Sequence, residues 1–416
     1  MLELLRRDRR ARLFFTAHAQ SAIGTGAGYV ALLLVAYDRL PGAWGITLVL
    51  MADFLPAIVL GPIFGAAADR WSRRACAVIA DVARGVAFLG IALVGGIEAT
   101  IALALLAGLG AGLFQPAILA GLPSLVDRGR VAPAMSLYGA LSEIGTMLGP
   151  ALAALLLLWV NPEVLLAVDG ATFLLSAVVL AALPFGGRPE PEGARASLLR
   201  DAREGLAAAR RLPGVRTLIY ASGAVLLFGG MLNVVELLFA KNELDVGDSA
   251  FSILIALAGL GIVIGSALGS RGGSLADLRY RYLGGLLLVA LALIALAVTP
   301  GYAVACAVFV AIGIGNGLVL VHGRLLLQRV VPEGLLGRIF GIKDAVNSAA
   351  FSASFLSAGL LVSLLGNRTL LAIAGAGGLV VWAVTSASLR RIWPAGAEAP
   401  HHGAAGVEES ALQADN

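Results

Sequence analysis

Charged residues are scarce in this sequence. Asp, Glu, Lys and Arg make up 13% of its 416 residues, whereas hydrophobic residues make up 59%. A soluble domain carries about a quarter charged residues, because its surface must be hydrated. The shortage excludes an ordinary soluble fold and indicates a protein embedded in a membrane. The cations do not cluster on a polar domain, so the net charge of +4 gives no reason to expect a nucleic-acid partner.

Cysteine and the common catalytic patterns are also lacking. The two cysteines, Cys76 and Cys306, lie far apart in apolar segments, which excludes a disulfide framework and a cysteine-based metal site. The Walker A pattern is absent, so ATP does not drive this chain directly. Neither a Ser-His-Asp arrangement nor an HExxH motif is found. We therefore expect no enzyme activity, no metal and no cofactor.

Long apolar runs are what the sequence has in abundance. About 20 apolar residues cross the hydrocarbon core as a helix, and on that measure we predict an all-α membrane protein with about twelve spans. The predicted spans are 14–37, 44–66, 75–95, 99–121, 132–158, 164–184, 215–239, 250–270, 281–298, 302–322, 339–365 and 369–389.

The cations of the connecting segments fall mainly on one side of the predicted spans. If the N-terminus is inside, the outer loops hold only Arg39, Lys241 and Arg368, and the arginine clusters lie in the inner segments. Short loops rich in Lys and Arg remain in the cytoplasm. We therefore expect a multi-pass protein of the cell membrane with both termini in the cytoplasm.

A polar linker divides the chain into two halves of six spans. In its second part, Leu198, Leu199, Ala202 and Leu206 fall on one helical face and arginines on the other. This pattern indicates an amphipathic helix that lies on the membrane surface or is simply solvated. The predicted units are a bundle at 1–184, the linker at 185–214, a second bundle at 215–391 and a disordered cytoplasmic tail at 392–416.

The two halves resemble one another at one point. Gly61 and Gly65 in the second span, and Gly265 and Gly269 in the eighth, are spaced by four residues and are followed by an Asp and arginines. Glycines at this spacing allow helices to approach closely. Repeated halves are typical of a transporter that rocks about a central site.

The stretch GAAADRWSRR, residues 65–74, follows the second span and resembles the G-x-x-x-D-R-x-G-R-[RK] signature of the major facilitator superfamily. Ser72 stands where the family has Gly, and the tight turn should survive there with some strain. The matching residues are Gly65, Asp69, Arg70, Arg73 and Arg74.

The resemblance implies two pseudo-symmetric six-helix bundles and a cytoplasmic latch that holds the outward-facing state. In that latch, Asp69 meets the start of the eleventh span and Arg73 pairs with Asp127. The alternative is that these charges only fix the topology.

A second stretch, GTMLGPALAA in the fifth span, resembles the G-x-x-x-G-P-x-x-G-G pattern of antiporters and exporters in the same superfamily. Gly145, Gly149 and Pro150 match, while Ala153 and Ala154 replace the last two glycines. Proline removes a backbone hydrogen bond and can bend a helix. The alternative is ordinary packing of small residues.

Two further stretches, GLFQPAILAGLPSLVDRGRVAPAMSLYGAL and VVPEGLLGRIFGI, resemble the branch that contains enterobactin exporters and macrolide efflux proteins. The resemblance implies export of small amphipathic molecules, such as drugs or siderophores, driven by the proton gradient. We also expect a monomer. The alternatives within transport are an importer and a lysophospholipid flippase. Outside it they are a membrane enzyme and a passive pore.

Ionisable residues inside the spans are functional candidates, because a charge is costly there. Burial in an apolar medium favours the neutral, protonated form of a carboxyl group, which suits it to carry a proton. We favour Glu143 in the fifth span and Glu236 in the seventh as the coupling acids.

The other intramembrane groups have structural alternatives. Asp53 lies in the outer half of the second span. Asp81 and Arg84 are spaced to form an ion pair, which we place near the cytoplasmic end of the third span. Asp169, near the outer end of the sixth span, caps or anchors a helix, and His18 in the first span is a polar packing residue.

Overall fold

A computed structural model describes residues 8–184, 207, 210–269 and 273–393. Over these residues the chain is helical, and twelve segments follow one another in antiparallel order. The first half comprises α1 Arg9–Arg39, α2a Ala43–Val59, α2b Gly61–Arg70, α3 Arg73–Leu93, α4 Ile97–Gly121, α5 Val131–Leu156 and α6 Pro162–Ala182. The second half comprises α7a Pro213–Gly229, α7b Leu232–Asn242, α8 Asp248–Gly269, α9 Leu275–Ala297, α10 Tyr302–Val330, α11 Leu336–Leu365 and α12 Asn367–Ile392.

The predicted all-α membrane fold is confirmed. Within the described part of the chain, eleven helical segments are long and apolar enough to cross a membrane. The shorter apolar helix α2a, continued by α2b, supplies the twelfth. Much of the predicted linker at 185–214 and of the tail at 392–416 lies outside the described residues, and so does most of the predicted amphipathic helix.

Two spans are interrupted, which the sequence did not lead us to expect. The second span breaks at Leu60, and a Gly-Pro pair starts α2b. The seventh span breaks between Gly229 and Leu232, where consecutive glycines are poor helix formers. Asn233 donates from its side-chain amide to the carbonyl oxygen of Gly230 at 3.0 Å and so occupies a backbone acceptor at the break.

The two halves are joined at one end of the molecule and separate at the other. We call the end that holds residues 8 and 393 the terminus side, and the opposite end the distal side. Toward the distal side, one apolar core contains buried residues of both halves, from Val30 and Phe173 to Phe239 and Phe355. Toward the terminus side each half has its own core. The space between the halves therefore opens to the terminus side.

Glycines let α5 pack closely on α1. A Cβ atom at Gly149 would lie 2.5 Å from the Cα atom of Gly26 and 2.6 Å from the backbone nitrogen of Ala27. A Cβ at Gly145 would lie 2.5 Å from the backbone of Ala22. Both glycines of the predicted fifth-span motif thus stand where a side chain has no room, and Ala153 and Ala154 are buried in the same helix.

The expected symmetry between the glycine pairs of the second and eighth spans is wrong in its packing. A Cβ at Gly265 would touch the backbone of Ile314 in α10, but one at Gly61 or Gly65 would meet nothing within 4 Å. The close packing of α2b is made instead by Phe64, whose ring lies against Gly112 of α4.

Candidate functional site

The space between the halves is a cavity with two connected lobes. The larger one, which we call the bridging lobe, has a volume of about 570 Å³ and is lined by residues of both halves. The smaller one, the C lobe, has a volume of about 310 Å³ and is lined almost entirely by the second half. The residues that line both lobes are Gly229, Leu232, Asn233, Ile262, Ile312 and Asn316.

A hydrogen-bonded group links the two halves in the bridging lobe. The hydroxyl of Tyr29 in α1 lies 3.1 Å from Oδ1 of Asn233 and 3.2 Å from Oε1 of Glu236, both next to the break in α7. Glu236 is only 6% exposed. This predicted coupling acid is therefore a buried carboxyl group whose hydroxyl partner belongs to the opposite half.

Arg84 brings a cation to the wall of the same lobe. It forms the expected ion pair with Asp81 at 3.5 Å, and its guanidinium lies over the ring of Phe173, 3.7 Å from the centroid. Its placement near an end of the span was wrong. Arg84 is the twelfth residue of the 21-residue helix α3 and lines the cavity, because the glycine at Gly110 leaves room for its stem.

His18 packs beside this lobe, as expected of a polar packing residue. Its ring stacks on Tyr138 with centroids 4.2 Å apart, and its Nε2 atom lies 3.0 Å from Oγ of Ser142. The contact joins α1 to α5 within the first half. His18 also lines the cavity.

The C lobe contains Glu143, the second predicted coupling acid. Glu143 lies at the middle of α5, as expected, but it is exposed toward the cavity rather than buried. Lys343 of α11 lines the same lobe. Ser222 donates to Oδ1 of Asn347 at 2.8 Å on the lobe's wall.

Asp53 and Asp169 occupy different surroundings. Asp53 is the eleventh residue of α2a and is half-buried. Asp169 neither caps nor anchors a helix end: it is the eighth residue of α6, is 1% exposed and packs against Gly24 and Gly28 of α1. The glycines of α1 provide the space for this carboxyl group, which is why it lies inside the first half.

The structure describes part of the signature that follows the second span. The side chain of Asp69 lies outside what the structure describes. Arg73 donates to the carbonyl oxygen of Ala120 at 3.0 Å. Asp127 is 86% exposed, with Arg130 at 4.0 Å, so the predicted pair between Arg73 and Asp127 is not made in this state.

The other positions of this signature lie at the surface of the terminus side. Arg70 and Arg74 are exposed. Ser72 is unstrained, with φ of −60°, and caps α3 by accepting from the backbone N–H of Ala75 at 3.3 Å. The expected strain is therefore absent, because the serine acts as an N-cap.

Sequence reasoning missed two residues of the cavity. Tyr29 gave no signal, because a tyrosine in a long apolar run is usual and its partner lies more than 200 residues away. Lys343 did give a signal, because it falls inside the predicted span 339–365, but it was not included among the intramembrane candidates. In the described ranges no cluster of three or more His, Cys, Asp or Glu is arranged to hold a metal.

The distal side is closed by polar contacts and aromatic packing. Tyr37 of α1 donates to Oδ1 of Asn242 in α7b at 3.2 Å. Phe54 of α2a packs against Phe351 and Phe355 of α11, with ring centroids 5.7 and 5.8 Å apart. These contacts join the halves above the cavity and would have to separate for it to open to the distal side.

Comparisons with known proteins agree with this architecture. YfiS, an uncharacterized MFS-type transporter of Bacillus subtilis (strain 168), is 26% identical over 377 residues, covering 85% of this chain and 86% of that protein. The multidrug efflux pump Tap of Mycolicibacterium fortuitum is 26% identical over 385 residues, covering 87% and 91%. The crystal structure of a bacterial homologue of the human lysosomal transporter Spinster has the same fold, with a TM-score of 0.68 and 13% identity over 91% of this chain and 96% of that one.

The family assignment rests on a match over most of the chain. The family model of the Major Facilitator Superfamily matches residues 14–354, which extend from the first span into the eleventh and include the residues that line the cavity. The relatives and the fold agree with it, and they are transporters rather than enzymes. This chain is a multi-pass membrane transporter that belongs to the Major Facilitator Superfamily.

Proposed function

We propose that this transporter exports small amphipathic molecules from the cell in exchange for protons, by alternating access of the cavity to the two sides of the membrane. The relative described as a multidrug efflux pump supports export. The mainly apolar lining of both lobes, with a few polar groups, suits amphipathic cargo. Drugs and siderophores are the cargo classes that we favour.

The orientation of the protein in the membrane is inferred from the distribution of its arginines. The terminus side carries Arg9, Arg10, Arg73, Arg74 and Arg130, and loops rich in arginine stay in the cytoplasm. We therefore assign the terminus side to the cytoplasm of a cell-membrane protein. The described state then faces inward.

The observation that carries the proposal is the contact of Tyr29 with Glu236. It joins the only acid of the bridging lobe to the opposite half, within the described residues. When the distal side opens, Tyr29 moves away and Glu236 loses its donor. The proton occupancy of Glu236 and the position of the halves then depend on one another, and such dependence is what exchange of a proton for a substrate requires.

The test uses everted membrane vesicles with an imposed pH gradient, acidic inside, and ethidium as cargo. The wild-type protein should accumulate ethidium in the vesicles. Glu236→Gln keeps the shape and the acceptor oxygen but carries no proton, so it should abolish accumulation while downhill movement continues. Glu98→Gln, which removes an exposed acid at the start of α4, is the control and should accumulate ethidium normally.

A different result would exclude this coupling role. Uphill, pH-dependent accumulation by Glu236→Gln at normal protein levels would contradict it. The same experiment on Glu143→Gln and on the double variant determines whether one acid or both are required. If neither is, Asp53 and Asp169 are the next acids to test.

A further inference from the structure

The C lobe holds one acid and one cation, and they belong to different halves. Among the described residues that line it, Glu143 of α5 is the only acid and Lys343 of α11 the only cation. The remaining lining is apolar apart from amide and hydroxyl groups. The lobe thus presents a negative group on the wall of the first half and a positive group on the wall of the second.

Neither charge is neutralised by a close partner among the described residues. Glu143 makes no ion pair there, and its side chain is exposed toward the cavity. The nearest acid to Lys343 is Asp344, with Nζ 4.0 Å from Oδ1. Asp344 is 73% exposed, whereas the lysine side chain is only 15% exposed, so the two side chains make at most a long contact.

The position of Lys343 is not explained by a role in fixing the membrane orientation alone. It is the eighth residue of α11, roughly 10 Å along the helix from its start. The chain has only two lysines, Lys241 and Lys343, and uses arginine for the cations of its terminus side. A compact ammonium group on a long apolar stem can bind an anionic group inside a narrow cavity, and a buried charge of this kind is costly to keep without a ligand.

We propose that the C lobe binds the charged end of a zwitterionic amphipathic molecule, its cationic group at Glu143 and its anionic group at Lys343, with the apolar part in the shared region of the two lobes. Such a ligand satisfies both charges and holds the two halves together. A ligand that binds one conformation better shifts the population toward it, so zwitterionic cargo would favour closure of the terminus side. This proposal rests on the export function above and names its substrate class.

The test is direct binding to the purified protein in lipid nanodiscs, measured by fluorescence, with three probes that share a dansyl group and chain. Nε-dansyl-L-lysine carries both an ammonium and a carboxylate group. Dansylcadaverine is the same molecule without the carboxylate, and dansyl-6-aminohexanoate is the same molecule without the ammonium. We expect the zwitterion to bind at least about tenfold more tightly than either, because each charge-assisted contact is worth that much.

Two variants test which residue of the lobe binds which charged group of the probe. Lys343→Gln should weaken the zwitterion about tenfold, to the affinity of dansylcadaverine, and leave dansylcadaverine unchanged. Glu143→Gln should weaken the binding of the zwitterion and of dansylcadaverine but not the binding of dansyl-6-aminohexanoate. Lys343→Arg and Glu143→Asp keep the charge and should retain the preference. Arg390→Gln and Glu98→Gln remove exposed charges that do not line the lobe and serve as controls for fold and net charge.

The outcomes separate this proposal from the export function. Equal affinity of the three probes for the wild-type protein, or no binding of the zwitterion, overturns the substrate class. Unchanged zwitterion affinity in both Gln variants, with altered transport, overturns it in favour of a direct Glu143–Lys343 pair that forms on closure. Ethidium accumulation by the wild-type protein and its loss in Glu236→Gln are measured separately, so failure of the export function would be seen independently.

Discussion

At the scale of single residues, the sequence predicted a contact between neighbours on one helix but not the contacts between different helices. That Asp81 and Arg84 would pair followed from their spacing, because residues three apart share a helix face. That Arg84 would reach the cavity did not follow, since it depends on Gly110 of another helix. Asp169 was misplaced for the same reason: the glycines of α1 that make room for it are remote in sequence.

Replacing Tyr29 with Phe tests the link between the halves at this scale. Phe keeps the ring and removes the hydroxyl that lies 3.2 Å from Glu236. A hydrogen bond to a carboxylate contributes about 1.5–3 kcal/mol when the acid is charged, so the population with the distal side open should rise about tenfold or more. Spin labels at the distal positions 158 and 365 would report this as longer distances.

A matched control is available in the second half. Tyr302→Phe also removes a hydroxyl, but this one donates to the carbonyl oxygen of Ala250 at 2.9 Å within the same half. The distance distribution should then remain that of the wild type. An identical distribution in Tyr29→Phe and Tyr302→Phe would show that the cross-half contact has no influence on opening.

At the scale of helices, the glycines of α5 determine how closely it packs on α1. A methyl group at Gly149 would overlap the backbone of Gly26 and Ala27, so Gly149→Ala should destabilise the protein by about 1–3 kcal/mol. Gly139→Ala, on the same helix, meets nothing within 4 Å and should be neutral or slightly stabilising. Thermal unfolding in detergent distinguishes them, and equal melting temperatures would contradict the close approach.

The signature after the second span also acts at this scale. In the described state Arg73 is bonded to Ala120 and Asp127 is exposed, so we expect their pair only when the terminus side closes. Arg73→Ala and Asp127→Ala should each slow transport, and the double variant should be no slower than the worse single one, because each already breaks the pair. Additive losses would show that Arg73 has another partner.

Asp69→Asn should impair transport at normal protein levels.

For the whole molecule, the sequence predicted the architecture but not its state. Twelve segments and two halves followed from apolar length and loop charge, which are local properties. The break at Gly229–Gly230 was missed, although consecutive glycines are a local signal. The open terminus side could not be predicted, since it depends on contacts between helices such as that of Tyr37 with Asn242. The cavity between the halves was expected as a consequence of the repeat. The arrangement of charged residues in the cavity could be seen only in the structure.

Exchange of cargo for protons is the central claim, and the sign of proton movement tests it most directly. Proteoliposomes containing the pH dye pyranine are loaded with ethidium or Nε-dansyl-L-lysine, their membrane potential is clamped, and they are diluted into cargo-free buffer at the same pH. Our account predicts that the lumen acidifies as cargo leaves, whichever way the protein is inserted, and that Glu236→Gln releases cargo without a pH change. Alkalinisation of the lumen, or cargo release by the wild-type protein without any pH change, would contradict it.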